Sequence, residues 1–152
     1  MFLNKIKLFL VISICIIFFF LTYNDVKSSE IKIISGTAKV IDGDTIQIKD
    51  KKIRLLGIDA PEKKQICKQT WLSISFLSFE KDYYCGKVST NALKKLINSK
   101  NINCKYTGKD RYKRFIAECF KDKKSINSWM VRNGYAVAYK KYSKKFVAIE
   151  NI

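Results

Sequence analysis

Two neighbouring runs decide the fold of this chain: Val40-Ile41-Asp42-Gly43-Asp44-Thr45-Ile46-Gln47-Ile48 and Ile53-Arg54-Leu55-Leu56-Gly57-Ile58-Asp59-Ala60-Pro61-Glu62. Both are rich in residues that favour strands, and both border on turn residues. We expect the two strands to pair as a hairpin across a two-residue turn at Asp50-Lys51. In such a hairpin the carboxylates of Asp44 and Asp59 can approach each other.

The acidic residues of this hairpin suggest a metal site. Two carboxylates that lie close together repel each other unless a cation lies between them. Oxygen ligands without cysteine or histidine suit a hard ion, calcium or magnesium. Arg54 adds a planar donor fork that matches phosphate. The alternative is an acidic hairpin turn beside a surface arginine, since Asp-Gly turns are common.

Composition limits the function classes. The 152 residues suffice for one domain with a core. Lysine and arginine number 30 against 13 acidic residues, and the formal charge of +17 indicates a polyanionic partner, either nucleic acid or an anionic membrane. The chain has no histidine, which excludes histidine bases, nucleophiles and metal ligands.

Residues 1–28 are predicted to be a targeting segment. Lys5 and Lys7 precede an apolar run over residues 8–21, and small or modest residues follow before a cleavage point. The run is short beside the roughly 20 residues of a spanning helix. A signal peptide is therefore favoured over an uncleaved anchor that attaches the protein to a membrane through residues 6–21. Either predicts export, to the periplasm or as a secreted protein, with residues 29–152 as the domain.

The four cysteines of the domain then lie in an oxidising compartment and are predicted to form disulfides. We favour Cys104–Cys119, because both residues lie in predicted strands that are neighbours along the chain. Cys67–Cys85 is then the second pair. The alternatives are four free buried thiols, or a zinc site, which is disfavoured because the chain has no close CxxC pair.

Residues 33–58 are predicted to form three strands in succession, the last two being the hairpin, and the pattern predicts further strands near residues 101–106 and 114–120 and two short helices. Residues 88–97 form an amphipathic helix with Val88, Ala92, Leu93, Leu96 and Ile97 on one face. Ser125 caps a second helix with Ile126, Trp129 and Met130 facing inward.

Three further segments have more than one interpretation. The basic turn over residues 107–114 suits phosphate and base contacts, or is a solvated hairpin tip. The tyrosines of residues 135–142 stack on bases or simply pack. Residues 63–84, apolar in the middle, are a lid, a strand or a membrane-facing patch.

The order of these elements predicts an α+β fold dominated by a five-stranded OB-fold β-barrel with two to three helices. Together with Ile41-Asp42-Gly43-Asp44-Thr45, the run from Arg54 to Glu62, and Asp110-Arg111-Tyr112-Lys113-Arg114, the chain closely resembles the staphylococcal nuclease (thermonuclease) family. The resemblance covers about residues 37–150. The segment Asn133-Gly134-Tyr135-Ala136 continues it.

This resemblance implies a calcium-dependent phosphodiesterase that cleaves DNA and RNA. It implies calcium ligands at Asp44, Asp59 and the main-chain carbonyl of Ala60, and a water-activating glutamate at Glu62. Two arginines, Arg54 and Arg114, would hold the phosphate. Arg111 and Tyr112 would contact a terminal phosphate, and Tyr139 would stack on a base. The family continues into a C-terminal helix, of which residues 146–150 would be the start.

We expect a monomer that prefers single-stranded nucleic acid. Two hypotheses from other classes stay open. The first is a catalytically silent nucleic-acid-binding barrel of the same fold, which binds DNA with steep salt dependence and leaves it uncut. The second is a membrane-surface protein that uses its charge and the aromatic residues of 71–79 on anionic lipid.

Overall fold

A computed structural model describes residues 12–17 and 31–150. Residues 12–17 are helical (α1), and the rest of the predicted 1–28 leader lies outside the described residues. Contacts divide the chain into two units, Met1–Glu30 and Ile31–Ile152, and all the predicted site residues belong to the second. Among the helices of the described residues, none has the length and apolar character needed to cross a membrane.

The second unit contains ten strands and three helices. In chain order they are β1 (Lys32–Val40), β2 (Thr45–Ile48), β3 (Lys51–Leu55), β4 (Ile58–Asp59), β5 (Cys67–Ile74), β6 (Leu77–Tyr83), α2 (Cys85–Ile97), β7 (Asn101–Lys109), β8 (Phe115–Lys121), β9 (Lys124–Ser125), α3 (Ile126–Arg132), β10 (Val137–Ala138) and α4 (Val147–Glu150).

Five of these strands close a barrel. The sheet order is β3-β2-β1-β7-β8, and a parallel pairing of β3 with β8 joins the two ends. Because side chains alternate across a strand, one side of each strand faces the barrel interior. That interior is filled by aliphatic side chains with almost no exposed surface: Ile46, Ile48, Ile53, Leu55 and Ile102. The predicted five-stranded OB-fold barrel with accompanying helices is confirmed.

The turn between β2 and β3 differs by one residue from the prediction. Ile48 pairs with Lys51, so the two-residue turn is Lys49-Asp50 and not Asp50-Lys51. Moving the turn by one residue shifts the pairing by two, which leaves every side chain on the same face. The hydrophobic pattern could not distinguish these two registers.

The helices follow the prediction with local differences. Helix α2 begins three residues before the predicted start at position 88, and its buried residues include Ala92, Leu93 and Ile97. Val88, predicted on the buried face, is exposed. The predicted cap of α3 is present, since the Ser125 hydroxyl accepts a hydrogen bond from the Ser128 N–H at 3.2 Å. Helix α4 follows Phe146, whose ring is buried in the core.

The segment over residues 63–84, which the sequence left unassigned, is mostly a β-hairpin. Strands β5 and β6 pair with each other as a separate two-stranded sheet. Every residue from Lys68 to Tyr84 is exposed. The hairpin therefore projects from the barrel unit without covering its core.

Candidate active site

Arg54 links two carboxylates that lie far apart in the sequence. Pairing of β2 with β3 sets Thr45 opposite Arg54, which brings the preceding Asp44 within reach. Nη1 of Arg54 donates to Oδ1 of Asp44 at 2.8 Å, and Nη2 donates to Oδ1 of Asp59 at 2.6 Å. The two predicted metal ligands thus lie on either side of one guanidinium.

Asp44 is a buried charge with a nearly complete set of donors. Its Oδ1 also accepts from the Thr45 hydroxyl at 2.9 Å, and its Oδ2 accepts from the Ala60 N–H at 3.2 Å. Burial raises the pKa of Asp44 to about 6, against the opposing effects of the Arg54 charge and the Ala60 N–H. A cation beside this carboxylate would offset its loss of hydration.

The donor set fits a hard divalent cation. Asp44, Asp59 and Ala60 offer only oxygen ligands, and Ala60 is tied to Asp44 by its N–H. Over residues 12–17 and 31–150, no cluster of three or more histidine, cysteine or acidic side chains has metal-site geometry. A cation held here would thus have two carboxylates and would complete its shell with main-chain oxygen and water, as calcium and magnesium commonly do.

A cavity of about 580 Å³ opens beside this carboxylate pair. It is lined by five of the predicted site residues: Arg54, Arg111, Tyr112, Arg114 and Tyr139. Lys109 and Lys141 also line it. Arginines from strand β3 and from the turn between β7 and β8 therefore meet in one concave, basic, partly aromatic site, which suits a phosphate with attached bases.

The turn between β7 and β8 is organised by Asp110, a residue that the sequence did not single out as functional. Its Oδ1 accepts from the Tyr112 and Arg114 N–H groups, both at 2.9 Å, and its Oδ2 accepts from Nε of Arg114 at 2.8 Å. Burial acts to raise the pKa of Asp110, but the hydrogen bonds from Arg114 outweigh it and lower the pKa. An aspartate that opens a turn before backbone donors is the signal that could have identified it.

The Tyr112 ring in this turn makes two cation–π contacts. The guanidinium carbons of Arg111 and Arg114 lie 4.8 Å and 5.4 Å from the centre of the Tyr112 ring. The Tyr112 ring is nevertheless largely exposed. Its free surface remains available to a ligand.

The C-terminal segment supplies Tyr139 to the same cavity. Strand β10 pairs with β4, with Val137 opposite Asp59, and the Tyr139 N–H donates to the Gly57 carbonyl at 2.9 Å. The Tyr139 ring packs edge-to-face on Tyr142, which also lines the cavity, at a centroid distance of 4.9 Å. Tertiary pairing therefore places a predicted base-stacking residue next to a predicted metal ligand.

Comparison with known proteins agrees with this arrangement. The family model described as staphylococcal nuclease homologue matches residues 52–152. The chain belongs to the staphylococcal nuclease family.

Several curated proteins resemble this family member in sequence. Succinoglycan biosynthesis protein ExoI of Rhizobium meliloti (strain 1021) is 41% identical over 106 residues, which are 68% of this chain and 51% of that protein. An uncharacterized endonuclease of Escherichia coli O157:H7 is 36% identical over 110 residues, 69% of this chain and 60% of its own length. An uncharacterized endonuclease of Haemophilus influenzae (strain ATCC 51907 / DSM 11121 / KW20 / Rd) is 37% identical over 110 residues, covering 69% and 52%. The chain thus spans about half to three fifths of these relatives.

Glu62, the glutamate that the family resemblance assigns to water activation, follows Asp59 by three residues. It is exposed and, like Asp44, Asp59 and Ala60, does not line the cavity. Its main chain is held by two hydrogen bonds with Gln65, from the Glu62 N–H to Oε1 at 3.1 Å and from the Gln65 N–H to the Glu62 carbonyl at 2.7 Å. Within residues 31–150, no hydrogen bond or ion pair engages its carboxylate.

Both predicted cysteine pairs are bonded in this member of the family. Cys104–Cys119 joins directly opposed residues of β7 and β8 inside the core. Cys67–Cys85 joins the first residue of β5 to the first residue of α2. The second bond closes the loop over residues 67–85, which contains the hairpin and begins five residues after Glu62.

Proposed function

We propose that this protein is a calcium-dependent nuclease that hydrolyses phosphodiester bonds of DNA and RNA with little sequence specificity. The observation that carries the proposal is the convergence of three arginines and three tyrosines on one cavity, with Arg54 joining that cavity to the Asp44 and Asp59 carboxylates. The endonuclease names of two relatives support the same conclusion.

Each side chain has a role in in-line attack on a phosphodiester. Arg54 and Arg114 hold the phosphate and stabilise the negative charge that grows on it, because a guanidinium can donate two hydrogen bonds to phosphate oxygens. Glu62 orients a water molecule and accepts its proton. Asp44, Asp59 and the Ala60 carbonyl would hold a calcium ion, which when bound would supply a Lewis acid for a phosphoryl oxygen.

Substrate choice follows from the rim of the cavity. Arg111 and Tyr112 contact a terminal phosphate, and Tyr139 stacks on a base. Every base presents a ring face, so stacking on tyrosine discriminates little between sequences. A strand must be unpaired for its bases to reach these rings, which favours single-stranded substrates.

The cellular setting is part of the proposal. Residues 1–28 direct export, or hold the protein at a membrane through residues 6–21, and the enzyme acts as a monomer in the periplasm or outside the cell. Two disulfides support an oxidising compartment. The formal charge of +17 supports a polyanionic substrate.

The test is cleavage of single-stranded DNA and of RNA by the oxidised protein, with calcium and with excess chelator. Cleavage that needs calcium, and that falls by about 100-fold or more in Glu62→Gln, fits a general base at this position. Glu80→Gln is the matched control, since Glu80 is an exposed glutamate that does not line the cavity. It should keep parental activity.

The second candidate is a catalytically silent nucleic-acid-binding barrel. The basic, partly aromatic lining of the cavity favours it, because the same side chains would bind a nucleic-acid strand without cleaving it. It predicts tight, salt-dependent binding of single-stranded DNA and no cleavage by folded protein in calcium. Binding without cleavage in the same experiment would decide for this candidate.

A further inference from the structure

The hairpin of β5 and β6 is the largest feature that the proposed nuclease function does not use. Its two strands pair only with each other among the described strands. The turn Ser75-Phe76 lies at its tip, where Phe76 is 91% exposed. A hydrophobic two-stranded sheet with both edges open is marginally stable in water and prone to aggregation.

Near its tip the hairpin has one apolar and one polar face, whereas nearer the base the apolar side carries the polar pair Gln69–Lys81. The cross-strand pairs Leu72–Phe79 and Ile74–Leu77 lie on one face, because alternate residues point to the same side. The Trp71 ring, beside an irregularity in the pairing, lies 6.3 Å from the Phe79 ring. The opposite face carries polar pairs: Ser73–Ser78, Thr70–Glu80 and Lys68–Asp82.

Charge is distributed unevenly along this element. Residues 71–79 contain no charged side chain. Residues 62–87, which include the base, contain five lysines and three acidic residues, and the whole chain has a formal charge of +17. An apolar tip on a basic body complements a surface that has anionic groups outside and hydrocarbon beneath.

We propose that this hairpin is a membrane-docking element that inserts its tip into the surface of an anionic phospholipid bilayer. Trp71, Phe76 and Phe79 enter the region below the headgroups, where aromatic side chains are enriched. Tyr83 and Tyr84, near the base, lie at headgroup level. Insertion is shallow, since the unpaired backbone edges of the hairpin cannot enter hydrocarbon without losing their hydrogen bonds to water.

The side chains favour lipid over nucleic acid as the partner. Three of the exposed residues, Leu72, Ile74 and Leu77, are aliphatic and offer no ring face to a base. A strand of nucleic acid also needs cations along its path, and none lies within 71–79. The docking element is independent of the nuclease chemistry, because no hairpin residue lines the cavity.

The hairpin is tied to the barrel unit at its base by a disulfide. The Cys67–Cys85 disulfide joins its first strand to α2, with Cα atoms 5.6 Å apart. A docked tip would therefore hold the barrel close to the membrane surface.

The test uses the full chain and vesicles of equal parts phosphatidylglycerol and phosphatidylethanolamine, with bromine on the acyl chains of the phosphatidylglycerol. Bromine quenches tryptophan at hydrocarbon depth. We expect quenching of Trp71 fluorescence, assigned by its loss in Trp71→Phe, and much weaker quenching with brominated phosphatidylcholine alone. The readout reports the depth of one side chain, so attachment through residues 6–21 does not by itself produce it.

Two variants isolate the tip. Phe76→Asp should weaken the vesicle-dependent quenching about tenfold or more, which corresponds to the loss of one buried phenylalanine. Ser78→Asp adds the same charge on the polar face and should leave quenching near parental. Both sites are exposed, so both variants should fold, as circular dichroism can verify.

Three results would overturn the proposal. Unchanged quenching in Phe76→Asp would show that the tip does not enter the bilayer. Quenching or a spectral shift of Trp71 with single-stranded oligonucleotide but not with vesicles would assign the hairpin to nucleic acid. A dimer that Phe76→Asp converts to a monomer, with no effect of lipid, would assign it to a second copy of the chain.

Discussion

Nη1 of Arg54 lies 2.8 Å from Oδ1 of Asp44. The carboxylate of this ion pair is buried, since Asp44 is 4% exposed. The second terminal nitrogen of the same guanidinium reaches Asp59. Arg54 thus balances the two carboxylates predicted to hold calcium and also lines the cavity predicted to hold phosphate. A lysine cannot reproduce this double contact, because its charge sits at one point.

Arg54→Lys should therefore reduce kcat/KM on single-stranded DNA. We expect a loss of about 2–4 kcal/mol in transition-state stabilisation, by analogy with removal of one donor to a developing oxyanion. Steady-state cleavage measures it. Arg132→Lys, an exposed arginine at the end of α3, is the control and should behave like the parent. Near-parental activity of Arg54→Lys would remove Arg54 from the catalytic set.

Gly86→Ala should displace the segment that carries Glu62. A Cβ at position 86 would lie 1.7 Å from the Glu62 carbonyl oxygen and 2.9 Å from the Lys63 carbonyl carbon, both main-chain atoms that cannot turn aside. We expect a stability loss of about 1–3 kcal/mol from overpacking, together with a lower kcat. Urea unfolding and cleavage assays measure the two effects.

Gly108→Ala is the control for this glycine, because a Cβ there meets no atom within 4 Å. It should leave stability and activity near parental. If Gly86→Ala lowers stability while kcat stays unchanged, the position of the Glu62 segment does not matter for the reaction.

Asp110→Asn should lower the stability of the protein by an amount that depends on pH, because it removes the negative charge that pairs with Arg114. The folded-state pKa of Asp110 lies below the ordinary 3.8, so its charge stabilises the fold above that value and this contribution is lost as pH falls through the folded pKa. We expect the parent to have the higher Tm above about pH 5 and the difference to shrink toward about pH 2. A difference that stays constant with pH would show that the charge is not responsible.

Loss of the Cys67–Cys85 bond should weaken catalysis more than loss of the core pair. The double variant Cys67→Ser/Cys85→Ser opens the loop over residues 67–85, whose ends adjoin Gln65 and Gly86 beside the Glu62 main chain. We expect a stability loss of about 3 kcal/mol for a loop of this size. Cys104→Ala/Cys119→Ala removes the bond inside the barrel, away from Glu62, and should lower stability while kcat of the folded protein stays near parental. Equal kcat in the two variants would contradict the assignment.

Much of this architecture could be predicted from sequence. Alternation in the Ile46–Ile48 and Ile53–Leu55 strands is a local property of the chain, and it fixes which side chains enter the barrel. Ser125 as a helix cap is equally local, since its hydroxyl bonds to the N–H three residues later. The Cys104–Cys119 pair was predicted from two neighbouring strands, and in the structure the two cysteines lie directly opposite each other.

Other features depend on geometry that residue types and periodicity do not show. The Lys49-Asp50 turn differs from the predicted one by a shift that leaves the facing pattern unchanged, so periodicity could not detect it. The segment over residues 63–84 alternates too irregularly to predict a hairpin, because its bulge at Trp71 reverses the facing pattern midway. Asp110 is visible as a turn residue, but its residue type does not show that its carboxylate bonds to the Arg114 side chain within the same turn.

From the sequence by itself, local periodicity predicted the barrel strands, neighbouring strands favoured the cysteine pairs that form, and the quoted motifs resembled the family and supplied the residue types of the site. Only the tertiary structure decided that Arg54 lies between Asp44 and Asp59, and that Tyr139 shares a cavity with Arg114. The residues that line this cavity lie up to 88 positions apart, from Arg54 to Tyr142. They arise from barrel closure and from the pairing of β4 with β10, which no local pattern encodes.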